Sequence, residues 1–164
     1  MLGIGAPAPF SQEGADDTER TTTSGTFATL STFSSMRIQN TATIRVVGNW
    51  RKTSGAAAIG DLALSLNGVS LETTINIATI ASSTNQAETG TFEFVVPPRT
   101  STTYQNGGLM RRSSNNGSSS LNGIAGHSSG NIPTATITDI IVQGKTGNAA
   151  VTIAIQNVRV FVEG

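Results

Sequence analysis

The chain has 164 residues, a length that fits one domain, and its ten basic and ten acidic residues give a net charge of zero. Leu, Ile, Val and Phe together supply 38 residues, enough for a packed core, whereas only 12% of all residues are charged. The absence of cysteine excludes disulfides, thiolate zinc sites and cysteine nucleophiles. The even charge balance and the lack of an apolar run of bilayer length argue against nucleic-acid and membrane partners.

The first 26 residues show neither a helical nor a strand period. They contain four of the ten acidic residues, namely Glu13, Asp16, Asp17 and Glu19. We expect an extended N-terminal arm over residues 1–26, with a disordered tail as the alternative. Residues 27–164 are expected to form a single β domain, because their apolar residues alternate with a period of two.

The strongest local signal is the dipeptide Asn67-Gly68, which separates two alternating segments. Asn-Gly is typical of a type I′ turn, in which both central residues need positive φ. A two-residue loop pairs Leu66 with Val69 and Leu64 with Leu71. The sequence therefore predicts a β-hairpin from residue 61 to residue 77, with its leucines on one face.

Two further segments have a clear strand period. Thr41 to Trp50 places Ile44, Val46 and Trp50 on one side, which predicts a half-buried strand. Thr91 to Val96 places Phe92, Phe94 and Val96 inward, and the following prolines, which cannot donate to a ladder, end this strand.

The last third predicts two more strands, joined by a tight turn around residues 144–147. The first runs from residue 134 to residue 142 and ends in a continuous apolar run, as in strands covered on both faces. In the second, the apolar positions change phase at Gln156-Asn157, which predicts a β-bulge. So long a final strand is also expected to bend from one sheet to the other.

Between residues 99 and 131 the alternation stops, which predicts one long polar loop that is either ordered in an assembly or flexible. Seven or eight strands with long connections predict an all-β fold, an antiparallel β-sandwich like a jelly roll.

No motif predicts catalysis. The segment 126–130 matches the G-x-S-x-G pattern around Ser128, but it lacks the flanking strand and helix, and His127 is the only histidine and adjoins that serine. Gly144-Lys145-Thr146 lacks the first glycine of a phosphate-binding loop. We therefore expect no enzyme activity, no metal site and no cofactor.

The charges predict a contact between chain segments. The acidic group in the arm contrasts with a basic stretch that has no intervening acid, comprising Arg37, Arg45, Arg51 and Lys52. Because an extended arm spans several tens of ångströms, it is expected to dock on a neighbouring subunit through these residues. For a second hypothesis, glycan binding, Trp50 and Tyr104 are the candidate contacts, although a lone strand-end tryptophan is more often a core residue.

In style, residues 27–164 resemble virion surface proteins of tailed bacteriophages, either small head decoration (cement) proteins or the β-sandwich tips of tail fibres and spikes. The shared features are short strands rich in Thr, Ser, Asn and Gly, the lack of cysteine, the loop 104–131 and the closing strand 148–164. The resemblance implies a homotrimer on the virion surface, made in the host cytoplasm, whose arm contacts capsid or neighbouring subunits. The alternative is a receptor- or carbohydrate-binding module of a tail fibre or spike.

Overall fold

The computed structural model describes residues 10–53, 60–71, 88–99, 109–114, 124–125 and 134–164. All regular structure in these residues is β, which confirms the predicted fold class. Eleven strands follow one another along these residues: β1 (Ser11–Asp16), β2 (Arg20–Thr22), β3 (Ala28–Phe33), β4 (Thr43–Lys52), β5 (Gly60–Leu66), β6 (Val69–Leu71), β7 (Glu88–Val96), β8 (Leu109–Ser114), β9 (Ile124–Ala125), β10 (Ile140–Thr146) and β11 (Ile153–Glu163). The described residues contain no helix that is long and apolar enough to cross a bilayer.

The strands form two antiparallel sheets. The larger sheet has the order β1-β11-β4-β7-β8-β9, with β2 also paired to β11, and the smaller has the order β3-β10-β5-β6. A single apolar cluster joins residues from both sheets, including Ile44 and Phe92 from the larger and Leu64 and Ile140 from the smaller. The chain is therefore a β-sandwich with its core between the sheets.

The central strands β4 and β7 show the predicted alternation. Ile44, Val46 and Trp50 are at most 2% exposed, and so are Phe92 and Phe94 on the neighbouring strand. The strand β7 ends at Val96, directly before the two prolines, as predicted.

The last strand contains the predicted bulge. Its pairing with β4 shifts register between Gln156 and Arg159, and Asn157 has a φ of 55°. The strand stays in the larger sheet throughout, pairing with β2 before the bulge and β1 after it, so the predicted move to the other sheet is wrong. The bulge allows Ile155 and Val158 both to face the core.

The hairpin between β5 and β6 has the predicted register, with Leu66 opposite Val69 and Leu64 opposite Leu71. Asn67 and Gly68 have φ values of 51° and 79°, as a type I′ turn requires. The Asn67 side chain also accepts hydrogen bonds from the backbone N–H groups of Thr138 (2.8 Å) and Asp139 (3.2 Å). The turn thus fixes the segment that leads into β10, although residues 72–77 of the predicted hairpin lie outside the described residues.

Further predictions also differ from the structure. Residues 11–16 and 20–22 of the predicted arm are extended, but they pair with β11 of the same chain and belong to the larger sheet. The predicted loop 99–131 contains β8 and β9, which continue the larger sheet beyond β7. The predicted strand 134–142 and the predicted turn at residues 144–147 are both misplaced, because β10 spans Ile140–Thr146. Gly144, Lys145 and Thr146 lie in this strand and pair with residues 60–62 of β5.

Candidate interaction surface

The larger sheet has one face toward the core and one face away from it. Because the even-numbered residues of β4 are buried in the core, its odd-numbered side chains lie on the opposite side, which we call the outer face. The strand pairing aligns the neighbouring strands into rows across this face. One row is Arg159–Val47–Glu93, and the next is Phe161–Arg45–Val95.

Apolar and charged residues alternate along the two rows of the outer face. Val47, Val95 and Phe161 are half-buried, although none of them belongs to the core cluster. Phe10, at the start of the described chain, is 39% exposed, and the Arg45 guanidinium lies 5.9 Å from the centre of its ring. We call these four apolar residues the outer patch.

The charged residues around the outer patch are paired with one another. Arg45 forms an ion pair with Glu93 of the adjacent strand β7, and Arg159 of β11 forms one with Asp17. Each pair is neutral as a whole, so these four residues add little net charge to the outer face. Among the described residues, the two rows therefore combine half-buried apolar side chains with charges that are paired.

Glu19 and Arg51 join the segment between β1 and β2 to the central strand. The Arg51 guanidinium donates through Nε to Glu19 Oε2 (2.8 Å) and through Nη2 to Glu19 Oε1 (2.6 Å). These bonds from Arg51 lower the pKa of Glu19, and the same carboxylate raises the pKa of Arg51. At this pair, the predicted attraction between acidic and basic segments therefore acts within one chain and not between two subunits.

Asp16 connects the edge strands of the two sheets. Its carboxylate accepts hydrogen bonds from Ser31 Oγ on β3 (2.8 Å), from the Thr18 N–H (3.1 Å) and from Arg20 Nε (3.3 Å). Burial alone would raise the pKa of Asp16, but the three donors and the charge of Arg20 outweigh it and lower the pKa. This residue therefore connects the two sheets along one side of the sandwich.

A polar groove of about 350 Å³ lies on the outer face, beside the rows that form the outer patch. Three consecutive residues from each of β4, β7 and β11 line it, together with one residue of the β1–β2 segment: Asn49, Trp50, Arg51, Thr89, Gly90, Thr91, Ala154, Ile155, Gln156 and Glu19. The outward-facing residues form its walls. The strand residues between them, Trp50, Gly90 and Ile155, form its floor.

A second groove, of about 400 Å³, brings together two of the sequence-predicted contact residues. Glu13 of β1 and Arg37 of the loop before β4 both line it, along with Gln39 and Val162. Both charged side chains are exposed, and neither forms an ion pair with another described residue. The groove is thus a place where the predicted acidic and basic segments approach each other.

Two predicted contact residues face the interior. Lys52 is 6% exposed and Trp50 is 2% exposed, because both occupy even positions of β4. Trp50 is therefore the core residue that its position at a strand end suggested, and it offers no exposed ring on which a sugar could stack. Tyr104, His127 and Ser128 lie outside the described residues, and those that are described contain no cluster of three or more potential metal ligands.

The outer patch and the polar groove were not predicted from the sequence. The signal for the patch was present as paired apolar residues, Val46-Val47 and Val95-Val96, and as the run 160–162. Such continuous runs indicate a strand covered on both faces, whereas we assigned only one face of each strand to the core. No local signal marks the groove, because its residues come from strands that are distant in sequence.

Comparison with solved structures shows which fold this is. The VP2 subviral particle structure of infectious bursal disease virus aligns with 99% of this chain and 37% of its own, with a TM-score of 0.50 and 11% identity. A structure of the Gt strain of the same virus gives a TM-score of 0.51 at 10% identity, with the same coverage. The metal-free lectin I-B4 of Griffonia simplicifolia aligns with 75% of this chain and 72% of its own, with a TM-score of 0.42 and 11% identity.

The shared feature is the β-sandwich. The chain spans 37% of the length of the two viral chains, and at this level of identity the likeness concerns the fold. The sequence matches no protein-family profile and no curated protein.

Proposed function

We propose that the chain is a non-enzymatic structural protein of a viral particle, which associates with copies of itself and decorates the capsid. The observation that carries this proposal is the outer patch, an apolar surface on the side of the larger sheet that faces away from the core. Burying such side chains is favourable by about 25 cal/mol per Å² of apolar surface, and a second subunit provides that burial.

The chemistry of the outer face suits a second copy of the same chain. A surface that meets itself suffers repulsion if it carries excess charge of one sign. Here Arg45 and Arg159 are already neutralised by Glu93 and Asp17, and the whole chain has a net charge of zero. Self-association through these rows therefore buries apolar side chains without leaving either of these two arginines unpaired. The expected state is a homotrimer, as the resemblance to decoration proteins implies.

The likeness to viral structures supports the particle setting. VP2 was solved as a subviral particle, and part of its chain has a fold similar to this one, with a TM-score of 0.50. The proposed place of this chain is the virion surface, bound to capsid subunits. The groove that Glu13 and Arg37 share is a candidate for that second contact, since neither charge is paired with another described residue.

The test of self-association is the light-scattering mass of three purified chains: the unchanged protein, Val47→Glu and Thr32→Glu. Val47 lies at the centre of the outer face, whereas Thr32 is an exposed residue of β3 in the smaller sheet. We expect Val47→Glu to shift the protein toward its 16.9 kDa monomer and Thr32→Glu to leave the mass unchanged. Equal masses for all three folded chains would contradict the outer patch as the contact.

The test of decoration uses virus particles purified from an infection that produces the chain. An antibody against the folded chain should label the outside of intact particles in electron microscopy. Label that appears only on disrupted particles, or none on particles at all, would contradict the proposed location.

A further inference from the structure

We propose that the polar groove beside the outer patch is a binding site for a neutral saccharide. The inference is independent of self-association, because the groove is built mostly from other rows of the outer face. Its walls come from the rows Gln156–Asn49–Thr91 and Ala154–Arg51–Thr89. Its volume of about 350 Å³ lies within the range of small-molecule sites, roughly 300–1,000 Å³.

The lining provides hydrogen-bond donors and acceptors that match the hydroxyl groups of a sugar. The side-chain amides of Asn49 and Gln156 each provide donors and an acceptor, and the hydroxyl of Thr89 provides both functions in one group. These three side chains are exposed at adjacent points of three neighbouring strands. A sugar carries hydroxyl groups that both donate and accept along its ring, so the two sets are complementary.

The floor of the groove offers little side-chain surface to a ligand. Ala154 and Ile155 are each 1% exposed, and the Ile155 side chain packs in the core. Recognition at this site therefore depends on the exposed polar side chains of the walls, which orient a ligand by hydrogen bonds.

The charge of the lining selects a neutral ligand. Arg51 and Glu19 are the two charged residues in the described lining, and they bind each other through two hydrogen bonds. An anion would have to compete with Glu19 for Arg51, and a cation would have to compete with Arg51 for Glu19. A neutral ligand requires neither exchange.

The single tryptophan provides a reporter for binding. Trp50 contributes to the groove floor, whereas its indole packs in the core on the other side of β4, and the buried indole N–H has no hydrogen-bond partner among the described residues. Because the chain has one tryptophan, its indole resonance is unique in the NMR spectrum of the ¹⁵N-labelled protein. The experiment titrates the full chain with methyl glycosides of glucose, galactose, mannose and N-acetylglucosamine, and with galacturonic acid as an anionic comparison.

We expect at least one neutral glycoside to shift the backbone amide resonances of Asn49, Thr89 and Gln156 in a saturable manner, with a smaller shift of the Trp50 indole resonance. The lining presents no exposed aromatic ring, so a dissociation constant of about 1–10 mM is expected, and the titration extends to about 50 mM. Gln156→Ala and Asn49→Ala should each weaken this binding at least about fivefold. The matched control is Gln12→Ala, an exposed glutamine of β1 outside the groove lining, which should leave it unchanged.

Three outcomes would overturn the proposal. The first is no saturable shift with any neutral glycoside, and the second is binding that survives in folded Gln156→Ala and Asn49→Ala chains. The third is tighter binding of galacturonic acid than of every neutral glycoside, since this would show an anion site. The fold of each variant is checked from its circular dichroism and thermal unfolding. If the protein still self-associates when one of these results is found, the saccharide site is contradicted and the proposed structural role is not.

Discussion

Arg51 on the central strand β4 donates hydrogen bonds of 2.6 and 2.8 Å to both carboxylate oxygens of Glu19, the residue before β2. The pair connects the N-terminal segment to the middle of the larger sheet. It is also the contact through which an acidic segment meets a basic one inside a single chain. Acidic and basic segments whose charges suggest a contact between two subunits can therefore form ion pairs within one chain.

Glu19→Gln is expected to loosen β2 with only a small effect on global stability, because the two side chains of the pair are 39% and 41% exposed. Hydrogen exchange of the β2 amides should accelerate more than that of β7. Since Arg51 lowers the pKa of Glu19 from its ordinary value of 4.5, the pair contributes fully above that pH. Its contribution is lost as the pH falls through the lowered pKa. The thermal midpoints of the unchanged protein and of Glu19→Gln should therefore become equal below the lowered pKa of Glu19. A difference between these midpoints that grows in acid would contradict the ion pair.

Asp16→Ala is expected to cost about 1–2 kcal/mol in the free energy of unfolding, more than Glu19→Gln costs. The change leaves the hydroxyl of Ser31 and the N–H of Thr18 without their acceptor and separates β1 from β3. Urea denaturation measures the difference, with Asp17→Ala as the control because the side chain of Asp17 is 70% exposed. Equal losses for the two variants would show that Asp16 does not close the sandwich.

Gly48→Ala tests how tightly the core is packed over β4. A Cβ at this position would lie 2.7 Å from the Phe92 ring and 3.3 Å from the Gln156 carbonyl oxygen. We expect a loss of about 1–3 kcal/mol in unfolding free energy, because the ring has to move within a filled core. At Gly25 the added Cβ meets nothing nearer than 4.0 Å, so Gly25→Ala should be nearly neutral. A neutral Gly48→Ala would mean that Phe92 shifts freely.

Asn67→Gly separates the two roles of the hairpin turn. Glycine retains the positive φ of the turn but removes the side chain that accepts from the Thr138 N–H and donates to the Thr136 carbonyl at 2.9 Å. We expect the variant to lose roughly 1–3 kcal/mol in chemical denaturation, since each bond contributes about 0.5–1.5 kcal/mol. The matched control is Asn157→Gly, the same change at another exposed asparagine with positive φ, whose side chain has no hydrogen bond to a described residue. Unchanged stability of Asn67→Gly would rule out its role in holding the 136–139 segment.

Local chemistry allowed part of this fold to be predicted. The hairpin register follows from Asn67-Gly68, and the bulge follows from the change of phase at Gln156-Asn157. In both cases the determining residues are adjacent in sequence. The alternation in β4 and β7 was also predictable, because each of these strands has one fully buried face.

The features that escaped prediction depend on residues far apart in the chain. β1 has no clean period because its register shifts between Gln12 and Gly14, and it is recognisable as a strand only through its partner β11. Gly144 suggested a turn, but it lies inside β10, where an added Cβ would come 2.7 Å from Leu30 Cδ1. Here glycine serves close packing between strands rather than chain reversal. The groove is likewise defined only once three distant strands are adjacent.

The most direct test of the structural role is the light-scattering mass of the unmodified full-length chain over a wide range of concentrations. The proposed function predicts a discrete oligomer, with three times the 16.9 kDa mass of one chain, that dissociates on dilution. A mass of one chain at every concentration would contradict self-association through the outer patch.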